Sequence, residues 1–337
     1  MEKNNTFREI WKALKKSKKI LMALHPRPDG DALGSCTAMK YVLEKKGVNV
    51  RLVSKDMVNE SLESYDFNKE VEYGIDIEQL SLNEFDCILF LDHGALYDHS
   101  EEFKEKLKNA RTINIDHHGT NPYFGDLNYV DAESPSCCSI LYDFFDKIRF
   151  RFDRELSLRL MVGICTDTNF FTNGDSINNL RTAIILLKMG GLNYKKDLYD
   201  PLKNDPWVLK KYQGLLLSNM NMKEINGRKV AYSSVTKKEY EKIGLSRSDI
   251  RIGIKCMQDI KDVDLVFALI ELTGEIKGSF RSRGWDTTIY SEALGEGGGH
   301  KEASGFAMKT TNMKKAIELV LRTIKEKGFV EIDNKNL

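Results

Sequence analysis

Three short apolar runs, each ending in acids or histidines, constrain this chain more than any other feature. Residues 18–24 read KKILMAL and pass into His25-Pro26-Arg27-Pro28-Asp29-Gly30-Asp31, a turn-rich segment that continues neither a strand nor a helix. Residues 87–91 (CILFL) end in Asp92, and residues 112–115 (TINI) end in Asp116-His117-His118. Short apolar runs bounded by turn signals read as buried strands. Between them Leu33, Ala38, Met39, Val42 and Leu43 recur at helical spacing, with Gly47 as the stop, residues 48–53 add a strand, and a charged helix is expected near 100–109. This alternation predicts an α/β fold, a parallel sheet with helices on both faces, whose ligands bind beyond the carboxyl ends of the strands. All three polar clusters fall there.

Helical patterns follow at 136–147, 154–167 and 177–189, and Gly190-Gly191 closes the last. The polar stretch 193–206, with Pro201 and Pro206, reads as a linker between a first domain, 1–192, and a smaller α/β domain, 207–337. The second domain is expected to hold a helix near 207–221, strands at 229–235, 264–272 and 275–282, a Gly-rich loop at 295–300 and an amphipathic helix at 312–327. Two domains suit 337 residues at about 150 residues per domain.

The net charge of +1 conceals a division. Residues 1–192 carry 25 basic and 30 acidic side chains, whereas 193–337 carry 26 and 20. A near-neutral total excludes a broad basic surface for long duplex nucleic acid, while the two halves suit carboxylates gathered for a metal and cations gathered for an anion. No apolar run approaches the ~20 residues of a membrane span, and the start of the chain lacks a signal-peptide core, so a cytoplasmic location is expected. Cysteines 36, 87, 137, 138, 165 and 256 form no CxxC pair, which argues against a zinc ribbon or a disulfide scaffold.

His25, Asp29 and Asp31 place one imidazole and two carboxylates within seven residues. Hard divalent ions favour carboxylates, and Mn²⁺ also accepts imidazole; Asp-Gly-Asp is equally common turn chemistry. Asp92, His117 and His118 at strand ends favour the metal reading, and Asp167 at the end of an apolar helix is either a further acid or a turn residue. Three acids and one imidazole cannot share a dry pocket unpaired, because the like charges of the acids oppose common ionisation, and a pair of divalent cations resolves that repulsion. In the second half Arg281 and Arg283 fall on one face of a strand, a geometry suited to phosphate. The run Gly295-Glu296-Gly297-Gly298-Gly299-His300 offers unshielded N–H groups that cradle phosphate, or simply a flexible loop.

Taken in order, HPRPDGDALGS at 25–35, LDHG at 91–94, DHHGTN at 116–121, GICTDT at 163–168, GSFRS at 278–282 and GEGGGHKEASGF at 295–306 resemble the DHH–DHHA1 phosphoesterases, in particular their nano-RNase and bisphosphate-nucleotide phosphatase branch. The resemblance spans nearly the whole chain. It implies two Mn²⁺ per chain, with Mg²⁺ as a substitute, one held by His25, Asp29 and Asp92 and the second by Asp31, Asp92, His117 and Asp167. His118 would face the scissile phosphate and Asp116 would fix an imidazole's tautomer. Arg281, His300 and the glycines 297–299 would grip substrate phosphate across an interdomain cleft.

The implied activity is hydrolysis of short single-stranded RNA, including pApA, and of 3′-phosphoadenosine 5′-phosphate by metal-activated water, with a homodimer as the assembly to test. Cyclic di-AMP opening is the main alternative, with pyrophosphate or polyphosphate cleavage and noncatalytic nucleotide sensing behind it. Arg27, Asn169 and the segment 134–139 (SPSCCS) depart from the family's usual wording, which bears on substrate preference and removes no implied ligand.

Overall fold

The computed structural model describes residues 4–96, 99–172, 176–204, 206–245 and 254–332, with the side chains of Ser176, Glu296 and His300 outside that set. The chain divides into two compact units, residues 1–204 and 205–337. The first opens with α1 (Phe7–Lys16), started by a reciprocal cap: Thr6 Oγ1 accepts from the Glu9 N–H at 3.2 Å and the Glu9 carboxylate accepts from the Thr6 N–H at 2.7 Å. Its strands are β1 (Lys19–Ala23), β2 (Asn49–Ser54), β3 (Glu72–Tyr73), β4 (Cys87–Leu91), β5 (Thr112–Asp116) and β6 (Leu127–Val130). They form one sheet in the order β3-β2-β1-β4-β5-β6, and every pairing is parallel.

Around the sheet lie α2 (Gly30–Glu44), α3 (Glu60–Glu63), α4 (Glu101–Leu107), α5 (Cys137–Lys147), α6 (Arg154–Asp167), α7 (Ser176–Gly190) and α8 (Asp200–Lys203). Successive β1 residues enter opposite cores, as the period-2 geometry of a strand requires. Ile20 and Met22 pack with residues of α2, α5 and α6, while Leu21 and Ala23 pack with Ile88, Phe90 and Phe103. The parallel α/β architecture expected from the alternation is therefore present. The winding reverses between β1 and β4, the switch point at which such sheets bind ligands.

Within 193–206, a polar composition hides apolar anchors, Leu198 with Tyr194 and Leu202 beside it. Tyr194–Tyr199 forms a π-helical turn that leads into α8, and Leu198 is buried in the first unit's core. The Asn193 side chain starts the turn by accepting from the Lys196 N–H at 2.9 Å.

The second unit is a mixed sheet of β7 (Asn221–Ile225), β8 (Arg228–Val235), β9 (Leu265–Leu272), β10 (Glu275–Ser282), β11 (Glu296–His300) and β12 (Ala303–Met308) in the order β11-β12-β10-β9-β8-β7. Only β8 and β9 run parallel. Helices α9 (Trp207–Ser218) and α10 (Lys237–Lys242) cover one face, against Val266, Ala268 and Ile270. Helices α11 (Thr288–Leu294) and α12 (Met313–Lys327) cover the other, against Leu265, Phe267 and Leu269. Two expectations change here. The Gly-rich segment is not a loop but the edge strand β11, paired antiparallel with β12; a Cβ at Gly297 would stand 2.5 Å from the Ser291 carbonyl oxygen, so close packing beneath α11 calls for glycine. Arg283 lies beyond the end of β10 and pairs with Asp259 at 2.9 Å, so it does not share a strand face with Arg281. Among the described residues no helix is long and apolar enough to cross a membrane.

Candidate active site

Each donor singled out in the first unit sits at the carboxyl end of a strand or at a helix terminus beside one. His25 follows β1 by two residues, and its Nδ1–H donates to the Pro26 carbonyl at 3.0 Å. That bond turns Nε2 toward Asp92 at 3.5 Å and Asp29 at 3.9 Å. Asp29 is the N-cap of α2, accepting from the N–H groups of Asp31 at 2.9 Å and Ala32 at 3.0 Å. Asp31, one position inside α2, is 1% exposed. Its carboxylate accepts from the backbone N–H groups of Cys137 at 2.6 Å and Cys138 at 3.0 Å, at the positive end of α5.

Asp92 directly follows β4 with φ 56, a left-handed conformation that aspartate adopts at a cost. It is 3% exposed, and its Oδ1 makes no hydrogen bond, standing 3.4 Å from His117 Nε2 and 3.8 Å from His118 Nδ1. A buried carboxylate oxygen left without a hydrogen bond carries a large desolvation penalty. His117 follows β5; its Nδ1–H donates to the Ser134 carbonyl at 3.3 Å. Its Nε2 faces Asp92 and Asp167 at 3.4 Å each and Asp31 at 4.0 Å. Asp167 ends α6, which approaches α2 and α5 closely because residue 163 is glycine: a Cβ there would collide with the Cys138 Sγ and lie 2.6 Å from Asp31 Oδ1.

Three donor groups result, each within mutual ligating distance: His25 with Asp29 and Asp92, Asp31 with His117 and Asp167, and Asp92 with His117 and His118. The donor chemistry of carboxylates plus imidazole fits Mn²⁺, and Asp92 belongs to two groups. The orphaned Asp92 oxygen fits an absent cation better than it fits a missing protein donor. Burial opposes charge on His25, but bonding to Asp29 and Asp92 prevails and lifts it to about 11. Burial likewise opposes charge on His117, while Asp92, Asp31 and Asp167 lift it to about 10. Burial and the neighbouring acids push the carboxyls of Asp31 and Asp167 up. At Asp29, which is exposed, desolvation by its neighbours opposes charge, but bonding to His25 prevails and holds it down to about 2.

His118 is oriented from behind. Its Nδ1–H donates to Asp116 Oδ1 at 2.7 Å, which fixes the tautomer and raises its pKa against the opposing effect of burial. Asp116 is fully buried, and the Asn121 side-chain amide lies 2.6 Å from its other oxygen, 2.8 Å from Asn114 Oδ1 and 3.0 Å from the His93 carbonyl. Asn121, Asn114 and His93 thus join the site although the residue pattern singled out none of them. Asn121 was visible in DHHGTN, and His93 stands beside Asp92. The two α5 amides that hold Asp31 have no side-chain signature at all.

Arg281 is half-buried in the second unit; its Nη1 donates to the Phe280 carbonyl at 2.7 Å, and burial lowers its pKa. Gly297, Gly298 and Gly299 are exposed in β11, and the side chain of His300 lies outside the described residues.

Residues 19–164 match the DHH family, N-terminal domain, and residues 222–326 match the DHHA1 domain. A bifunctional oligoribonuclease and PAP phosphatase, NrnA, of Thermus thermophilus is 28% identical, over 96% of this chain and 94% of that protein. The crystal structure of an exopolyphosphatase-related protein from Bacteroides fragilis superposes with a TM-score of 0.86 at 24% identity, covering 95% of this chain and 96% of that one. RecJ of Thermus thermophilus in complex with Mn²⁺ shares the fold at a TM-score of 0.52 and 15% identity, over 97% of this chain and 55% of RecJ.

Proposed function

The chain belongs to the DHH family of phosphoesterases and carries a DHHA1 domain, and on that premise we propose that it hydrolyses short oligoribonucleotides, including pApA, and the 3′-phosphate of 3′-phosphoadenosine 5′-phosphate. The observation that carries this reading is Asp92, a buried carboxylate with an orphaned oxygen shared between two groups of metal-ligating side chains. The name of the Thermus relative supports the substrate class.

In this reading His25, Asp29 and Asp92 hold one Mn²⁺, and Asp31, Asp92, His117 and Asp167 hold a second. Divalent cations bound there would polarise a phosphoryl oxygen and make water more acidic at neutral pH. The chain's own contribution is order and proton placement. The carbonyls of Pro26 and Ser134 keep Nδ1 of His25 and His117 protonated, so each Nε2 is the ligating atom. Asp116 does the same for His118, whose Nε2 is left to hold or deliver a proton to a phosphoryl or leaving oxygen. Asn121 fixes Asp116 in turn. No protein nucleophile enters this scheme. Arg281, Gly297, Gly298, Gly299 and His300 are proposed to bind the substrate's phosphate, in keeping with their resemblance to the family's motifs.

The test is product analysis with Mn²⁺ on pAp, pApA, cyclic di-AMP, pyrophosphate and RNA of two to ten nucleotides. Conversion of pAp and pApA to AMP is expected, with rates falling as RNA lengthens. Both left intact would refute the proposal, and cyclic di-AMP as the preferred substrate would replace it.

A further inference from the structure

Beside the donor cluster, and wholly within the first unit, lies a cavity of about 310 Å³ at the carboxyl ends of β1, β2 and β3. It shares a wall with the site: Leu24 and Pro26, which flank His25 in the chain, both line it. Ala23, Leu24, Ile75 and Ile77 give it an apolar floor, while Asp56, Asp76 and Glu78 supply carboxylates. Arg27 and Lys55 add cations.

The polar lining is built rather than loose. Arg27 has φ 59, and its N–H donates to Asp56 Oδ2 at 2.8 Å. The Asp56 carbonyl accepts from Ser54 Oγ at 2.6 Å. Lys55 is paired with Asp76 at 2.7 Å, and Glu78 accepts from Ser100 Oγ at 2.6 Å and from His99 Nδ1–H at 3.0 Å. Such clamping holds acceptors in place before any ligand arrives, which lowers the entropy cost of binding.

We propose that this cavity is a subsite for the nucleoside attached to the scissile phosphate, seating its base on the apolar floor and meeting the base's amino or imino N–H groups with the rim carboxylates. This rests on the reading of the neighbouring donors as a phosphoesterase centre. The charge pattern selects the occupant. Three carboxylates line the cavity against two cations, Arg27 and Lys55, the latter paired with Asp76, so the lining is negative on balance and disfavours a second phosphate, whereas the uncharged base of a nucleotide is not repelled. The size agrees: ligand pockets begin near roughly 300 Å³, enough for one nucleoside and too little for a dinucleotide.

The experiment uses the full chain and adenosine, which lacks phosphate and therefore reports on the cavity alone. Saturation-transfer NMR on the metal-free protein should show adenosine binding, weakened about tenfold or more when Ile75→Trp fills the cavity. Asp56→Ala, which removes an acceptor without adding bulk, should weaken it several-fold and serves if the tryptophan variant fails to fold. With Mn²⁺, the same variants should raise KM for pApA while leaving turnover of p-nitrophenyl phosphate, which has no nucleoside, near wild type. Absence of adenosine binding to the wild type, or equal binding to folded variants, overturns the subsite. Adenosine binding that depends on Ile75 in a protein inactive on pAp and pApA would leave the subsite standing and remove the proposed function instead.

Discussion

Gly163→Ala tests how the second donor group is assembled. The added methyl would sit against the Cys138 Sγ and 2.6 Å from Asp31 Oδ1, in a contact between buried helices where neither neighbour is the free end of a long side chain. Overpacking of this kind costs about 1–3 kcal/mol, and the gain in helix propensity on replacing glycine returns up to about 1 kcal/mol. The net loss should be up to about 2 kcal/mol. In a unit of 204 residues that corresponds to a fall in Tm of up to about 8 °C.

The larger effect should fall on metal binding. Asp31 can escape the methyl only by leaving the amides of Cys137 and Cys138, which spoils its position toward His117 and Asp167, and displaced support of this kind costs about 10–100-fold in affinity. The control is Ile164→Val, one residue along the same buried helix, which should cost about 0.5–1.5 kcal/mol by cavity formation without touching a donor. Titration calorimetry with Mn²⁺, alongside denaturant unfolding, separates the two effects. If Gly163→Ala binds Mn²⁺ as Ile164→Val does, the close approach at residue 163 does not position Asp31 and the reasoning fails.

Further outcomes are expected. Asp92→Ala should abolish Mn²⁺-induced stabilisation, which for wild type should reach about 2.7 kcal/mol at a hundredfold excess over Kd; a retained Mn²⁺ shift in melting temperature would contradict the shared-ligand reading. Asp116→Asn should lower kcat about 10²-fold or more with little change in KM. Because Asp116 raises the pKa of His118, the protonated form persists to higher pH in the wild type, so any residual activity of Asp116→Asn should lose its alkaline limb at lower pH; a pH–rate profile with an unmoved limb would assign His118 a different role. Ser136→Ala removes the cap of α5, where Ser136 Oγ accepts from the Ser139 N–H at 3.0 Å, and should cost about 1 kcal/mol, read by thermal unfolding, together with weaker Mn²⁺ binding.

Much of the first unit was legible in the sequence because its signals are local. Each of the runs at 18–24, 87–91 and 112–115 is short, apolar and cut off by polar residues, so strand, strand end and polar cluster could be read together, and the parallel order followed from the helices between them. The structure brings His25, Asp29, Asp31, Asp92, His117, His118 and Asp167 into overlapping groups. What escaped depends on contacts distant in sequence or on the main chain. Three glycines carry little strand preference, so β11 is recognisable only once β12 pairs with it. Arg283 alternates with Arg281 in sequence, but β10 ends at Ser282 and Asp259 draws Arg283 away. The role of Asn121 emerges only when β5 and the turn after β4 converge on one amide.

The main-chain hold on Asp31 has a consequence for how this site can drift over evolutionary time. Two peptide N–H groups are supplied by whatever residues occupy positions 137 and 138, other than proline, so an adjacent pair of cysteines serves as well as other small side chains would. At residue 138 the constraint is bulk, since its side chain abuts Gly163. The wording SPSCCS therefore keeps the hold on Asp31 through main-chain N–H groups and the cap of α5 through Ser136, and the tightest steric demand falls on a glycine one helix away.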